Sequence, residues 1–171
     1  CGTSYHAGWI GKYLLEQLAG IPVEVFLASE FAYHQPILSE KPFFIFLTQS
    51  GETADSRQAL VKVNEKGYPS LTITNVKGST LSREASHTLL LHAGPEIAVA
   101  STKAYTTQII SLYIIATYFA NIKTDYTELY DAISKVLEKE EEIKEIAKTL
   151  INTKSIFYLG RAMDYTLAKE G

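Results

Sequence analysis

The chain has 171 residues, a formal net charge of −3, 46% hydrophobic residues and one cysteine, at position 1. That length supports one domain with a sizeable core, and the mild acidity leaves no global basic field to favour nucleic acid or an anionic membrane. A lone cysteine excludes an internal disulfide framework and a cysteine-rich zinc site. The longest apolar-rich stretch, residues 109–120, is too short for a bilayer span and contains Ser and Thr. With no signal peptide in view, a cytoplasmic location is expected. The chain opens on Cys rather than Met and stops at Ala168-Lys169-Glu170-Gly171 with helix signals still running, so a piece of a larger protein is expected.

Ser4 is expected to cap a first helix, with Ala7, Ile10, Leu14 and Leu18 on its apolar face and Gly20 as its stop. Residues 22–27 alternate like a half-buried strand. Residues 29–41 read as loop or short helix, punctuated by Pro36 and Pro42. Phe43-Phe44-Ile45-Phe46-Leu47 is apolar throughout, as a central, buried parallel strand should be, and runs straight into a helix over 54–66. After a turn at 67–70, Leu71-Thr72-Ile73-Thr74 predicts a strand ending in Asn75. Gly78-Ser79-Thr80 opens a short helix, and residues 87–92 read as a further strand. Ser101-Thr102-Lys103 starts a long helix through about Phe119. A second long helix is expected over 127–151, with Leu129, Ile133, Val136, Leu137, Ile143, Ile146, Ala147 and Leu150 as its stripe. Residues 156–160 predict a new strand whose incomplete sheet would leave an open edge. Strands alternating with helices point to an α/β fold whose parallel sheet is covered on both faces.

The most informative stretch is Thr48-Gln49-Ser50-Gly51-Glu52-Thr53, where a strand meets a helix. Helix N-termini present unpaired N–H groups and the positive end of the macrodipole, a ready anion site. The hydroxyls of Thr48, Ser50 and Thr53 and the Gln49 amide add donors, so a phosphate could be held without Lys or Arg. Read alone, the stretch is equally a polar turn with Thr53 as N-cap. A second hydroxyl loop, Gly2-Thr3-Ser4, tips the reading: both are expected at the carboxyl ends of parallel strands, where α/β folds bind ligands. Neither loop is a Walker P-loop or a GxGxxG fingerprint, which favours a phosphorylated small molecule over a nucleotide. On a third edge, the Val99 carbonyl and Ser101 hydroxyl are candidates to face a sugar; the plainer role for Ser101 is an N-cap. Lys103 sits in the first turn of its helix, where the dipole disfavours a cation, so a carboxylate partner is expected, with Glu96 the candidate.

Cys1 with a free amine would be the nucleophile arrangement of some amidohydrolases, but the residues after it read as a helix start rather than the sheet those enzymes need. Histidines 6, 34, 87 and 92 lack metal-like spacing, and a structural role is expected for His6. The acidic run at 138–142 reads as the solvated face of a helix.

Three stretches, residues 1–7, 48–55 and 99–108, together resemble the isomerase part of the glucosamine-6-phosphate synthase family, which contains two sugar isomerase (SIS) subdomains. The resemblance spans the whole chain. It implies a three-layer αβα sandwich with a parallel sheet, and an enzyme that converts fructose 6-phosphate and glutamine-derived ammonia to glucosamine 6-phosphate. By resemblance, Ser4, Thr48, Gln49, Ser50 and Thr53 hold the substrate phosphate, and Thr3, Val99 and Ser101 contact the sugar. The family usually has Ser where this chain has Thr48; the hydroxyl survives the change. The glutamate base is implied just beyond a motif matching Leu159-Gly160-Arg161 and Glu170-Gly171, with the ring-opening histidine and Schiff-base lysine further on, so no catalytic residue is assigned here. The resemblance implies no metal or other cofactor, a glutaminase domain before Cys1, and a homodimer. It divides the chain into a first SIS subdomain at 1–125, a connecting helix at 126–153 and the start of a second subdomain at 154–171. Two alternatives share the loops: a non-catalytic sugar-phosphate-binding SIS regulator, and a sugar-phosphate deaminase or deglycase.

Overall fold

A computed structural model describes residues 2–34, 36–97 and 101–171. In chain order its elements are α1 (Thr3–Ala19), α2 (Ala28–Tyr33), β1 (Phe44–Leu47), α3 (Ala54–Glu65), β2 (Ser70–Thr74), α4 (Thr80–Glu84), β3 (His87–Leu90), α5 (Lys103–Phe119), α6 (Thr127–Leu137), α7 (Glu140–Leu150) and α8 (Met163–Glu170). The three strands form a parallel sheet in the order β1-β2-β3. Parallel strands require crossovers, and here α3 and α4 supply them.

Side-chain alternation along β1 explains its unbroken apolar sequence. Phe44 and Phe46 pack with Phe31 of α2 and with Ala59 and Val63 of α3. Ile45 and Leu47 point the other way, toward a cluster with Ile73, Leu91 and Leu112; Leu47 also meets Ala7, Ile10 and Tyr105. Helices α1 and α5 therefore cover one face and α2 and α3 the other, giving the three-layer sandwich. β1 is nonetheless not central: it pairs only with β2 among the described residues. An apolar strand reports two covered faces, not its place in the hydrogen-bonding order.

The central strand is β2, and one of its faces is polar. Ser70, Thr72 and Thr74 are fully buried, and each hydroxyl finds a partner. Ser70 Oγ lies 3.4 Å from Ser86 Oγ, Thr72 Oγ1 donates to the Leu81 carbonyl (3.4 Å), and Thr74 Oγ1 donates to the Gln49 carbonyl (3.2 Å). A buried hydroxyl is tolerated when so satisfied, and these small side chains let the α4 segment lie close to the sheet.

Several expected elements come out differently. Residues 22–27 keep an alternating exposure but join no ladder among the described residues. Side chains of α1 satisfy this segment instead: Val23 N–H donates to Glu16 Oε1 (3.1 Å), and Lys12 Nζ donates to the Val23 carbonyl. The expected helix over 127–151 is two helices, with Lys139 off helical geometry at φ −86°, ψ 17°. The charges suit the break. Lys135 lies in the last turn of α6 and Glu140, Glu141 and Glu142 in the first turn of α7, each complementing its helix dipole. Neither helix has a buried residue; Leu129 and Ile133 of the stripe are half-buried, and Val136, Leu137, Ile143, Ile146 and Leu150 are exposed. Residues 156–160 form no strand; Phe157 and Leu159 are largely exposed. Strand propensity cannot replace a neighbouring strand's hydrogen bonds. Further on, α8 packs on α1, where His6 Nδ1 and Glu170 Oε2 meet at 2.5 Å.

Ile73 is completely buried at the centre of the sheet, whereas Ile156 is half exposed. Ile73→Ala should destabilise the chain by about 2–5 kcal/mol, while Ile156→Ala should stay within about 0.5 kcal/mol. Urea unfolding of both variants measures the difference.

Candidate functional site

The turn after β1 is shaped by its own hydroxyls. Gly51 N–H donates to Thr48 Oγ1 (3.0 Å) and Glu52 N–H to Ser50 Oγ (3.2 Å). Because both oxygens act as acceptors here, their hydroxyl hydrogens remain available as donors elsewhere. Thr53 is the N-cap of α3, as expected, but makes no side-chain capping bond, leaving its hydroxyl and the first N–H groups of α3 uncommitted.

The turn is held from outside by the β2–α4 junction. Asn75 N–H donates to the Gln49 carbonyl (3.0 Å) and Leu81 N–H to the Gly51 carbonyl (3.0 Å). Thr80 N–H donates to Glu52 Oε1 (2.8 Å). These hydrogen bonds from Thr80, with the nearby Arg83 and Arg57 charges, hold the Glu52 carboxyl below the usual glutamate range. Gly51 is required at its position: its φ is +68°, and a Cβ there would lie 2.0 Å from Ser79 Oγ.

The second loop differs from expectation in detail. The N-cap of α1 is Gly2, at φ 57° and ψ −138°, so Ser4 lies in the first turn rather than at the cap. No strand precedes it among the described residues; the loop reaches the carboxyl end of β1 because α1 packs across that face. Ser4 Oγ accepts a 3.0 Å hydrogen bond from Nε2 of the buried Gln108 on α5.

At the third edge, the N-cap of α5 is Thr102 rather than Ser101. Glu96 Oε1 accepts from Thr102 N–H (2.8 Å) and Thr102 Oγ1 (3.2 Å). Its carboxyl is held low first by the Thr102 backbone hydrogen bond, with Lys103 contributing charge at longer range. The expected Glu96–Lys103 pairing is therefore electrostatic rather than a direct ion pair, with Oε1 engaged at the helix start.

These pieces converge. Thr3, Ser4, Thr48, Gln49, Ser50, Thr53 and Ser101 line one cavity of about 190 Å³, together with Gly2, Leu47 and Ser56. Val99 lies outside the described residues. Ser56 was absent from the sequence reading; it is buried, and its position three residues after the Thr53 cap was the available signal. The starts of α1 and α3 and the segment leading into α5 border the cavity, whose lining among the described residues contains no Lys, Arg, Asp or Glu. Hydroxyl donors and helix N-termini without carboxylates suit an oxyanion. The volume falls below the roughly 300–1,000 Å³ of pockets for drug-sized ligands, so a compact group fits best. Among the described residues no cluster of three or more His, Cys, Asp or Glu could hold a metal, and no helix is long and apolar enough to cross a membrane.

Comparison with known proteins identifies the family and the fold. The SIS domain model matches residues 1–118. A model described as an uncharacterized protein conserved in archaea matches residues 98–165, a minority of the chain. The isomerizing glutamine–fructose-6-phosphate aminotransferase of Geobacillus kaustophilus is 56% identical over 181 aligned positions, covering 100% of this chain and 30% of that protein. The enzyme of the same name from Lactiplantibacillus plantarum is 52% identical, covering 99% and 30%. The chain thus spans about 30% of the length of these curated relatives. Among solved structures, the C-terminal domain of glucosamine-fructose-6-phosphate aminotransferase from Francisella tularensis superposes with a TM-score of 0.89 at 37% identity, over 99% of this chain and 52% of that one. A glucosamine-6-phosphate deaminase from Thermotoga maritima, 21% identical with a TM-score of 0.79 over 99% of this chain and 53% of that one, shares the fold.

Gly51→Ala should destabilise the chain by at least about 1–2 kcal/mol from its left-handed backbone, with the Ser79 clash added. Adding Ser79→Gly should recover only the clash, as thermal unfolding of the single and double variants will read. Glu52 gives a pH signature. Its native pKa lies below the ordinary value of 4.5, so its stabilisation is complete above 4.5 and lost as pH falls through the lower native value. Glu52→Gln should flatten that part of the acid-unfolding profile.

Proposed function

The chain belongs to the SIS domain family, and we propose that it is part of the isomerase half of an isomerizing glutamine–fructose-6-phosphate aminotransferase, where it holds the phosphate end of fructose 6-phosphate or glucosamine 6-phosphate. The observation that carries this reading is the convergence of Ser4, Thr48, Gln49, Ser50 and Thr53 on one carboxylate-free cavity. A phosphate dianion is an acceptor-only group, and every polar side chain in that lining can donate. Thr3, Ser101 and the Val99 carbonyl serve the sugar.

In this reading the full-length enzyme makes glucosamine 6-phosphate from fructose 6-phosphate and glutamine. A glutaminase domain releases ammonia, and a second SIS subdomain completes the isomerase. The first subdomain runs to about residue 125, a connecting segment to about 153, and the second subdomain starts there. The enzyme works in the cytoplasm as a homodimer. The chain's own contribution is positioning: gripping the remote phosphate fixes the reacting end of the sugar, so binding energy is used in orientation. Sequence identity to aminotransferases along the entire chain favours this reading over a regulator or a deaminase.

Calorimetry tests it. The chain should bind fructose 6-phosphate and not fructose, and Ser50→Ala or Thr53→Ala should each weaken binding by about 1–3 kcal/mol, the range for a hydrogen bond to a charged group. Equal affinity for the two sugars, or no loss in either variant, would overturn it.

A further inference from the structure

Gln108 is 1% exposed, on the α5 face that packs against α1. Its Nε2 donates to Ser4 Oγ at 3.0 Å, across 104 residues of sequence, and its Oε1 is buried without a hydrogen-bond partner among the described residues. Burying an amide with one end unpaired is costly, and an apolar side chain of similar length would fill the same space without that cost. Packing therefore does not explain the amide. Its one side-chain hydrogen bond among the described residues is to a hydroxyl that lines the cavity.

A serine hydroxyl has one hydrogen and two lone pairs. When the Gln108 N–H occupies a lone pair of Ser4 Oγ, the Ser4 hydrogen turns away from Gln108 and is free for the cavity. Ser4 lies in the first turn of α1, so no carbonyl one turn earlier in that helix competes for this hydrogen. We propose that Gln108 is a positioning residue that makes Ser4 an obligate donor toward an acceptor-only phosphoryl group. The inference rests on the reading of the cavity as a phosphate site and adds to it a residue outside the lining.

The test is a double-mutant cycle between Gln108 and Ser4, read by calorimetry with fructose 6-phosphate, with thermal unfolding as the control for folding. Gln108→Met should weaken binding about 3- to 10-fold, the scale of one hydrogen bond. The same change in a Ser4→Ala background should cost nothing further, because Gln108 acts only through that hydroxyl. Gln108→Glu, whose carboxylate can only accept from Ser4, should weaken binding more than Met and serves if the Met variant does not fold. Wild-type affinity in Gln108→Met, or an equal loss with and without Ser4, overturns the positioning role while leaving the phosphate reading intact, provided Ser50→Ala and Thr53→Ala still weaken binding. Failure of the unmodified chain to bind fructose 6-phosphate overturns both.

Discussion

The turn after β1 depends on the junction after β2. Left to itself, a hydroxyl-rich turn at a helix start samples many arrangements, each hydroxyl competing for nearby backbone groups. Here the Gln49 and Gly51 carbonyls are held by Asn75 and Leu81, and the Glu52 carboxylate caps the start of α4. With the outer side of the turn committed to the neighbouring crossover, its inner side is left to the cavity. Gly51 makes this possible by bringing backbone against Ser79 where no side chain fits. The parallel sheet matters because its order brings the turn after β1 beside the junction after β2.

The other wall of the cavity comes from helix packing. α1 and α5 form a joint layer over Ile45, Leu47 and Ile73, and that layer carries Thr3, Ser4 and Ser101 to the carboxyl end of β1. The Glu96 carboxylate sets the start of α5, and Gln108 ties α5 back to Ser4. The result is a donor-lined concavity bordered by helix starts and free of formal charge in its lining. Such a site suits the proposed phosphate, which fixed dipoles would stabilise. It also avoids flexible cationic side chains, which would lose rotamer freedom on binding.

Much of this was legible in one dimension. The strand-to-helix junction at 48–53 is contiguous, so its chemistry could be read from neighbours in sequence, and Phe44 to Leu47 announced two covered faces. Ser56 was legible in principle, one helical turn from a recognised cap. The errors have a common origin. Residues 22–27 and 156–160 have strand composition, and only the presence of a neighbour decides whether composition becomes a ladder.

Local residue order determined the periodicity of the helices and the hydroxyl content of the two loops, because these depend on neighbours within a turn or two. Tertiary structure alone decided that β2, not β1, is the central strand, that Glu96 holds a helix start, and that Gln108 reaches Ser4 across 104 residues. Pairing order and long-range hydrogen bonds are fixed by which surfaces bury one another, and that is a property of the packed whole.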